Sequence, residues 1–390
     1  MDFLSGLKTP CFLYDLDLLE GTLASANHHA AGHGITILYA IKANHQPAVL
    51  RSILQHGLGI DCVSGNEVSA ALAHGFPASS IVFAGVGKTD GEINLALDHD
   101  ILCLNCESVE ELQVVAGLAQ QRRRVARVAL RVNPDVNAET HRLITTGLDE
   151  NKFGINLRDL PGALEFCKAS EHLDFVGLHF HIGSQITNQK PFVELCRKVN
   201  QIWRTFNPEH YGGSILNLGG GLGIDYHDPV NNPMPDFRAY FNIFARHLEI
   251  PSHIKVHVEL GRSLVGQSAS LITRVLYVKK GISKQFAITD AGITDLLRPA
   301  LYQAVHKIDN LTSDLPAEQY DIVGPACESS DTFANDLMLP KINRGDLLAI
   351  RSCGAYAQSM SLHYNLRSKA TAYYTRNQQI LSEEPPSELF

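Results

Sequence analysis

The sequence has no run of about 20 apolar residues, the length a membrane-spanning helix needs, although hydrophobic residues make up 45% of it. With a mean hydropathy of −0.05, a soluble chain is expected. A basic block is also missing: 33 Lys and Arg against 41 Asp and Glu leave a net charge of −8. That argues against a nucleic-acid partner and leaves small-molecule chemistry as the expected task. The opening MDFLSGLKTP lacks the basic stretch and apolar core of a secretory signal, so a cytoplasmic location is expected. The eight cysteines show no disulfide framework, which fits a reducing compartment. Cys103 and Cys106 form a lone CLNC with no second ligand pair, and read as strand packing rather than zinc or redox chemistry; no metal site is expected.

What is present is length and rhythm. A chain of 390 residues exceeds the usual reach of one core, so a large domain with a smaller companion is expected. Through the first two thirds, short β-branched and apolar runs alternate with segments of helical pattern. Eight such runs stand out: ILYAIK from 37, GIDCV from 59, SIVFAG from 80, ILCLN from 101, ARVALRVN from 126, DFVGLHFH from 174, SILNLGGG from 214 and IKVHVELG from 254. Eight strand–helix units predict an α/β fold, a (β/α)8 TIM barrel over residues 21–262. NEVSAALAHG and SVEELQVVAGLAQQ read as helices with Ser or Asn caps. The long fifth crossover, which carries NKFGI at 151 to 155, is expected on the loop face.

After about residue 263 the pattern becomes strand after strand: SLITRVLYVKK, KQFAITDAG, QYDIVGPAC, DLLAIRSCGAY and KATAYYT. This predicts a mostly β domain over 263–390, joined by the N-terminal segment 1–20, whose PCFLYDL is a candidate extra strand. The closing LSEEPPSELF reads as a loose tail.

Active residues of such a barrel stand at the C-terminal ends of its strands. Those ends offer Lys42, Asp61, His181, Gly219 to Gly221, and Glu259 with Arg262. A lysine, an imidazole, a glycine triplet and a carboxylate on one rim suit a carbonyl cofactor that carries a phosphate. Each piece alone has a plainer reading: a solvated strand-end lysine, a hydrogen-bonded core histidine, a tight turn, a structural ion pair. Burial is expected to lower the lysine's pKa toward its nucleophilic form.

YAIKAN, HFHIGSQ, NLGGGLGIDY, ELGR, RPALY, CESSD and GAY stand in an order and spacing that resemble the diaminopimelate decarboxylases. These belong to the alanine-racemase-like group of enzymes dependent on pyridoxal phosphate (PLP). The resemblance runs from PCFLYD to HYN, and CESSD with RPALY makes it specific.

The resemblance implies a barrel that binds PLP. Lys42 would hold the cofactor covalently and His181 would stack on its ring. Ser184, Gly219, Gly220, Gly221 and Tyr356 would hold the phosphate, and Glu259 would face the pyridine nitrogen. The implied reaction is decarboxylation of meso-diaminopimelate to L-lysine, with Cys327 protonating the α-carbon from the β domain of a partner subunit in a homodimer. Arg262, Arg298 and Tyr302 match positions that hold the distal carboxylate of a diamino dicarboxylic acid, with Tyr356 also at the substrate, and Glu328 matches the one near its distal amino group. By residue type alone, Cys327 reads as a structural cysteine and Arg298 as a surface arginine before a proline turn.

The chain departs from the commoner pattern at ELGR, where EPGR is usual, in GAYAQSMS after GAY, and in the serine of CESSD where glycine is frequent. Other readings are a decarboxylase of another carboxylated amine such as carboxynorspermidine, an amino-acid racemase, and a non-catalytic PLP carrier. Racemases of this group place an arginine at the pyridine nitrogen, where Glu259 stands, and carriers lack the β domain.

Overall fold

The computed structural model of the protein describes residue 4, residues 6–136 and residues 152–384. The chain divides into two compact units. One gathers residues 23–223 with Asp236–Gly261; the other gathers the first 22 residues, Ile224–Pro235 and the segment from Arg262 onward.

Strand β1 (Cys11–Asp15) belongs to the second unit. The first unit is a closed barrel of eight parallel strands: β2 (Ile35–Ala40), β3 (Gly59–Cys62), β4 (Ile81–Phe83), β5 (Cys103–Cys106), β6 (Ala126–Arg131), β7 (Leu173–His179), β8 (Ile215–Asn217) and β9 (Lys255–Leu260). Each pairs with the next, and β9 closes on β2 through Leu38↔Glu259. These strands are short and nearly continuous in buried residues, as expected when helices cover one face and side chains fill the other. Leu38, Val82, Cys103, Ala129, Val176 and Ile215 form one buried cluster; fully burying a side chain such as Leu or Ile contributes about 1.5–3 kcal/mol.

Three of the helices begin at Ser or Thr caps. Ser64 accepts from the Glu67 N–H ahead of Gly65–Ala73, Ser108 accepts from Glu111 N–H ahead of Val109–Gln121, and Thr89 with Glu92 forms a capping box ahead of Asp90–His99. Each satisfies amide donors that the first helical turn leaves open. Of the fifth crossover, 137–151 lies outside the described residues; Ile155 then bridges back to Val132.

The second unit is a nine-stranded sheet. Its strands after β1 are β10 (Ala269–Lys280), β11 (Gln285–Thr289), β12 (Ile308–Asn310), β13 (Ala317–Val323), β14 (Thr332–Pro340), β15 (Leu347–Ile350), β16 (Thr371–Arg376) and β17 (Gln379–Glu384). β1 lies between β10 and β16, antiparallel to the first and parallel to the second, so PCFLYDL supplies a strand. Three strands were not expected: β12, β14 and β17. β17 overturns part of the loose-tail reading, since it includes Leu381 and pairs Ser382 to Glu384 with β16; residues 385–390 lie outside those described. Among the described residues no helix is long and apolar enough to cross a membrane.

Candidate active site

The barrel's chemistry gathers at the C-terminal ends of its strands. Lys42 does not end strand β2, as the sequence suggested, but sits in the 3-10 turn Ile41–Ala43 that follows it. Nor is it fully buried: its side chain keeps 37% exposure, with Nζ 3.4 Å from Asp61 Oδ2. Asp61, one residue before the end of β3, lies fully inside the barrel, and its pKa is raised. Burial is the main cause and the Glu259 charge adds to it, while Lys42 works the other way.

Glu259 lies near the end of β9. Burial alone would raise its pKa, but the hydrogen bond from His179 and the nearby Lys42 ammonium outweigh this and hold it well below the usual carboxylate range. Both carboxylate oxygens have donors: His179 Nε2 at 3.1 Å from Oε2, and Asn217 Nδ2 at 2.8 Å from Oε1. A buried carboxylate with two donors stays ionised.

The glycine turn after β8 is shaped by close approach. A Cβ on Gly220 would lie 1.9 Å from the Glu259 carbonyl oxygen, and one on Gly219, whose φ is +67°, would lie 2.1 Å from that of Phe180. Only glycine fits there. Gly219 N–H donates to Asn217 Oδ1 and Gly220 N–H to His181 Nδ1, so these two amides hold the turn's own shape. Because His181 Nδ1 accepts, the imidazole is neutral, in accord with a pKa driven well below normal by burial, then by Arg131 and Lys42. The HIGSQ loop is tied to the same turn: Ile186 N–H donates to Gly221 O and Gly223 N–H to Ile186 O. That brings half-buried Ser184 into the loop facing the glycines. Gly261 was not singled out from sequence; a Cβ there would press on Ala40, just before Lys42's turn, and on Ala43 within it.

This donor set fits PLP. It combines a lysine on a turn, a neutral imidazole, an ionised carboxylate inside the barrel, and backbone that only glycine allows to come close. The structure therefore brings together Lys42, Asp61, His181, Ser184, Gly219, Gly220, Gly221 and Glu259 on one barrel rim.

The second unit assembles a separate group. Arg262 Nη1 donates to Tyr226 Oη at 2.6 Å, and its guanidinium lies 4.8 Å from the centre of the Tyr356 ring. Tyr356 holds a left-handed φ of +56°, uncommon for a bulky residue and typical of sites under constraint. Arg298 opens the helix Arg298–Tyr302, which sets Tyr302 four residues on, along the same face. The plain reading of Arg298 as a surface residue fails, because it is only 5% exposed. It stacks on the Tyr226 ring at 4.7 Å, and its Nη1 donates to His306 Nε2 at 2.8 Å. An accepting Nε2 leaves the hydrogen on Nδ1, which donates to Arg351 O, so His306 is neutral; burial and Arg298 push its pKa down to about 3. Among the described residues no carboxylate pairs with Arg298.

Cys327 and Glu328 lie on an exposed loop of the same unit. Of the eight cysteines, seven are buried and Cys327 is exposed; its N–H donates to Asn365 Oδ1. Asp331 shapes the loop from within, accepting from Ala326 N–H and Ile293 N–H at 2.7 Å each, while a Cβ on Gly324 would lie 2.3 Å from its carboxylate. Asp331→Asn turns one acceptor into a donor against an amide, and leaving a buried donor unmet costs about 1–3 kcal/mol. Urea unfolding should show that loss; a change below about 0.5 kcal/mol would mean Asp331 does not hold the loop.

Sequence reasoning missed His179, Asn217, Tyr226 and His306. The signal for His179 was present, since HFH places His179 on the inward face of a strand two residues before His181.

Residues 19–266 match the pyridoxal-binding domain of the pyridoxal-dependent decarboxylases. The diaminopimelate decarboxylase of Bacteroides thetaiotaomicron is 50% identical over 94% of this chain and 95% of that protein. A crystal structure of the Helicobacter pylori diaminopimelate decarboxylase complexed with L-lysine superposes with a TM-score of 0.92 at 37% identity, covering 98% of this chain and 96% of that one. Its counterpart from M. jannaschii, also with L-lysine, gives 0.88 at 32% identity over 97% and 90% of the two chains. With this agreement along nearly the whole sequence, and a rim whose groups suit the cofactor, the chain belongs to the diaminopimelate decarboxylases, a family of pyridoxal-dependent decarboxylases.

Proposed function

We propose that this chain converts meso-2,6-diaminopimelate to L-lysine and carbon dioxide, with pyridoxal phosphate held on Lys42. The observation that carries the choice of substrate is Arg298: a guanidinium 5% exposed, stacked on Tyr226 and bonded to a neutral His306. A buried cation with only neutral partners is costly until an anion joins it, and the distal carboxylate of a diamino diacid is such an anion. Ornithine and lysine, presented as substrates with the carboxylate of the α-carbon to be lost, have no second carboxylate. The L-lysine in the relatives from H. pylori and M. jannaschii is the expected product of the same reaction.

Each residue then has a task. Lys42 anchors the cofactor, and Asp61 beside its amine is placed to exchange a proton with it. Neutral His181 offers a flat face for the ring, and ionised Glu259 opposes the pyridine nitrogen. Ser184, Tyr356 and the backbone around Gly219, Gly220 and Gly221 take the phosphate. Arg262, Arg298 and Tyr302 hold the distal carboxylate, Tyr356 flanks it, and Glu328 attracts the distal amino group. When bound, pyridoxal phosphate supplies a conjugated ring that accepts the electron pair left by the departing carbon dioxide. The Cys327 thiol gives its proton to the former α-carbon, which forms the new C–H bond. Cys327 comes from the partner in a homodimer, a reading supported by its being the exposed cysteine on an exposed loop.

Purified protein with PLP should release carbon dioxide from meso-diaminopimelate with a kcat/KM roughly 10³-fold or more above that for L-lysine, L-ornithine or carboxynorspermidine, because a site built for a polar group rejects substrates that lack it. Comparable rates on the monocarboxylates would contradict the assignment. Arg298→Gln refines the test. Charge-assisted hydrogen bonds contribute about 1.5–3 kcal/mol, so kcat/KM for diaminopimelate should fall about 10- to 150-fold and the affinity for the product L-lysine, which keeps the distal carboxylate, should fall with it, while the cofactor's absorbance stays unchanged. A loss under about threefold, or L-lysine binding that does not weaken, would remove Arg298 from the distal-carboxylate site.

A further inference from the structure

Four polar side chains form one layer of the barrel interior. Asp61, Asn105, His179 and Glu259 stand on β3, β5, β7 and β9, every second strand. Asp61 is in register with Val82, Asn105 with Ala129 and Glu259 with Leu38, all members of the interior cluster. His179 is in register with Asn217, two residues beyond the cluster's Ile215. Residues paired across parallel strands share a face, so all four point inward. Alternate strands supplying four residues is how a barrel of this kind builds a layer, ordinarily from branched apolar side chains. Here all four are polar and almost fully buried.

His179 is the member whose presence needs a reason. Its imidazole is 1% exposed, and among the described residues Nδ1 has no hydrogen-bond partner, so its one polar tether is Nε2 to Glu259 Oε2. Because a carboxylate oxygen accepts, Nε2 carries the hydrogen. Asn217 holds the other oxygen, while its own Oδ1 accepts from Gly219 N–H. The carboxylate is thereby linked through Asn217 to the glycine turn and through His179 to β7.

We infer that His179 is a positioning residue whose Nε2–H fixes the orientation of the Glu259 carboxylate and thereby sets cofactor affinity. This rests on the reading of Glu259 as the cofactor's counter-ion. A packing role would need only the ring's volume; a positioning role needs the donor.

Gln and Met separate the two, because they have similar shape and only Gln carries an N–H at the tip. PLP should bind His179→Gln apoprotein with a dissociation constant within about threefold of wild type, followed by absorbance titration. His179→Met should weaken binding about tenfold or more and lower kcat with little change in KM. Circular dichroism and thermal midpoint verify that both are folded; should His179→Met not fold, His179→Leu takes its place. Equal cofactor affinity in the Gln and donor-free variants, whether unchanged or equally weakened, would overturn the inference. Cofactor affinity is read without substrate, so this result is independent of whether diaminopimelate is decarboxylated.

Discussion

Lys42→Ala should leave protein that folds but no longer retains pyridoxal phosphate covalently and shows no measurable carbon dioxide release. The amine sits on a 3-10 turn with Asp61 Oδ2 3.4 Å from Nζ, and its charge acts on Glu259. An amine next to a carboxylate of raised pKa has a partner for the proton it must lose before it acts as a nucleophile. The measurement is borohydride reduction followed by peptide mapping. Wild type should carry the reduced cofactor on the peptide containing Lys42, and the variant should carry none. Label on any other lysine would refute the anchor.

Cys327→Ala should lower kcat by roughly 10² to 10⁴, the effect of losing a general acid, or about 3 to 5 kcal/mol of transition-state stabilisation. KM and L-lysine affinity should change little, because binding is assigned to Arg298, Arg262 and Tyr302. The same residue tests assembly. Mixing inactive Lys42→Ala with inactive Cys327→Ala subunits should restore about a quarter of wild-type activity, since half the dimers are then mixed and each has one intact site of two. Activity that does not return, with subunit exchange shown by mass, would mean that each chain completes its own site.

Much of the barrel was legible because its strands are short buried runs and two of its helices show polar caps near the start: Ser108 caps Val109–Gln121 as read, whereas Gly65–Ala73 is capped by Ser64, ahead of NEVSAALAHG. Lys42 was placed one element too early. ILYAIK reads as a single run, and nothing in its composition marks the point where strand pairing ends and the turn begins. The missed strands are exposed, irregular or very short. β17 reads QILSEE and is mostly exposed. β14 contains Asn, Asp and a closing Pro, with Asp336 at a φ of +53° and register shifts against β13. β12 has three residues. Local pattern is weak in all three, and pairing with a neighbouring strand decides them.

In the site, Lys42, Glu259 and the glycines were found through order along the chain. His179, Asn217, Tyr226 and His306 were not, because their significance lies in contacts between segments far apart in sequence. Asn217 and Glu259 are 42 positions apart, and His179 and Glu259 are 80 apart. Arg298 was seen as a candidate, but its burial was not, since a helix of five residues carries no periodicity from which to read an inward face.

The most direct test of the central claim is to run the wild-type protein on meso-diaminopimelate in deuterium oxide and follow both carbon dioxide and isotope. A decarboxylase that protonates the α-carbon should release one carbon dioxide for each substrate consumed and leave L-lysine with one deuterium at that carbon. Deuterium entering diaminopimelate without carbon dioxide release is the signature of a racemase, and would contradict the function assigned to this chain.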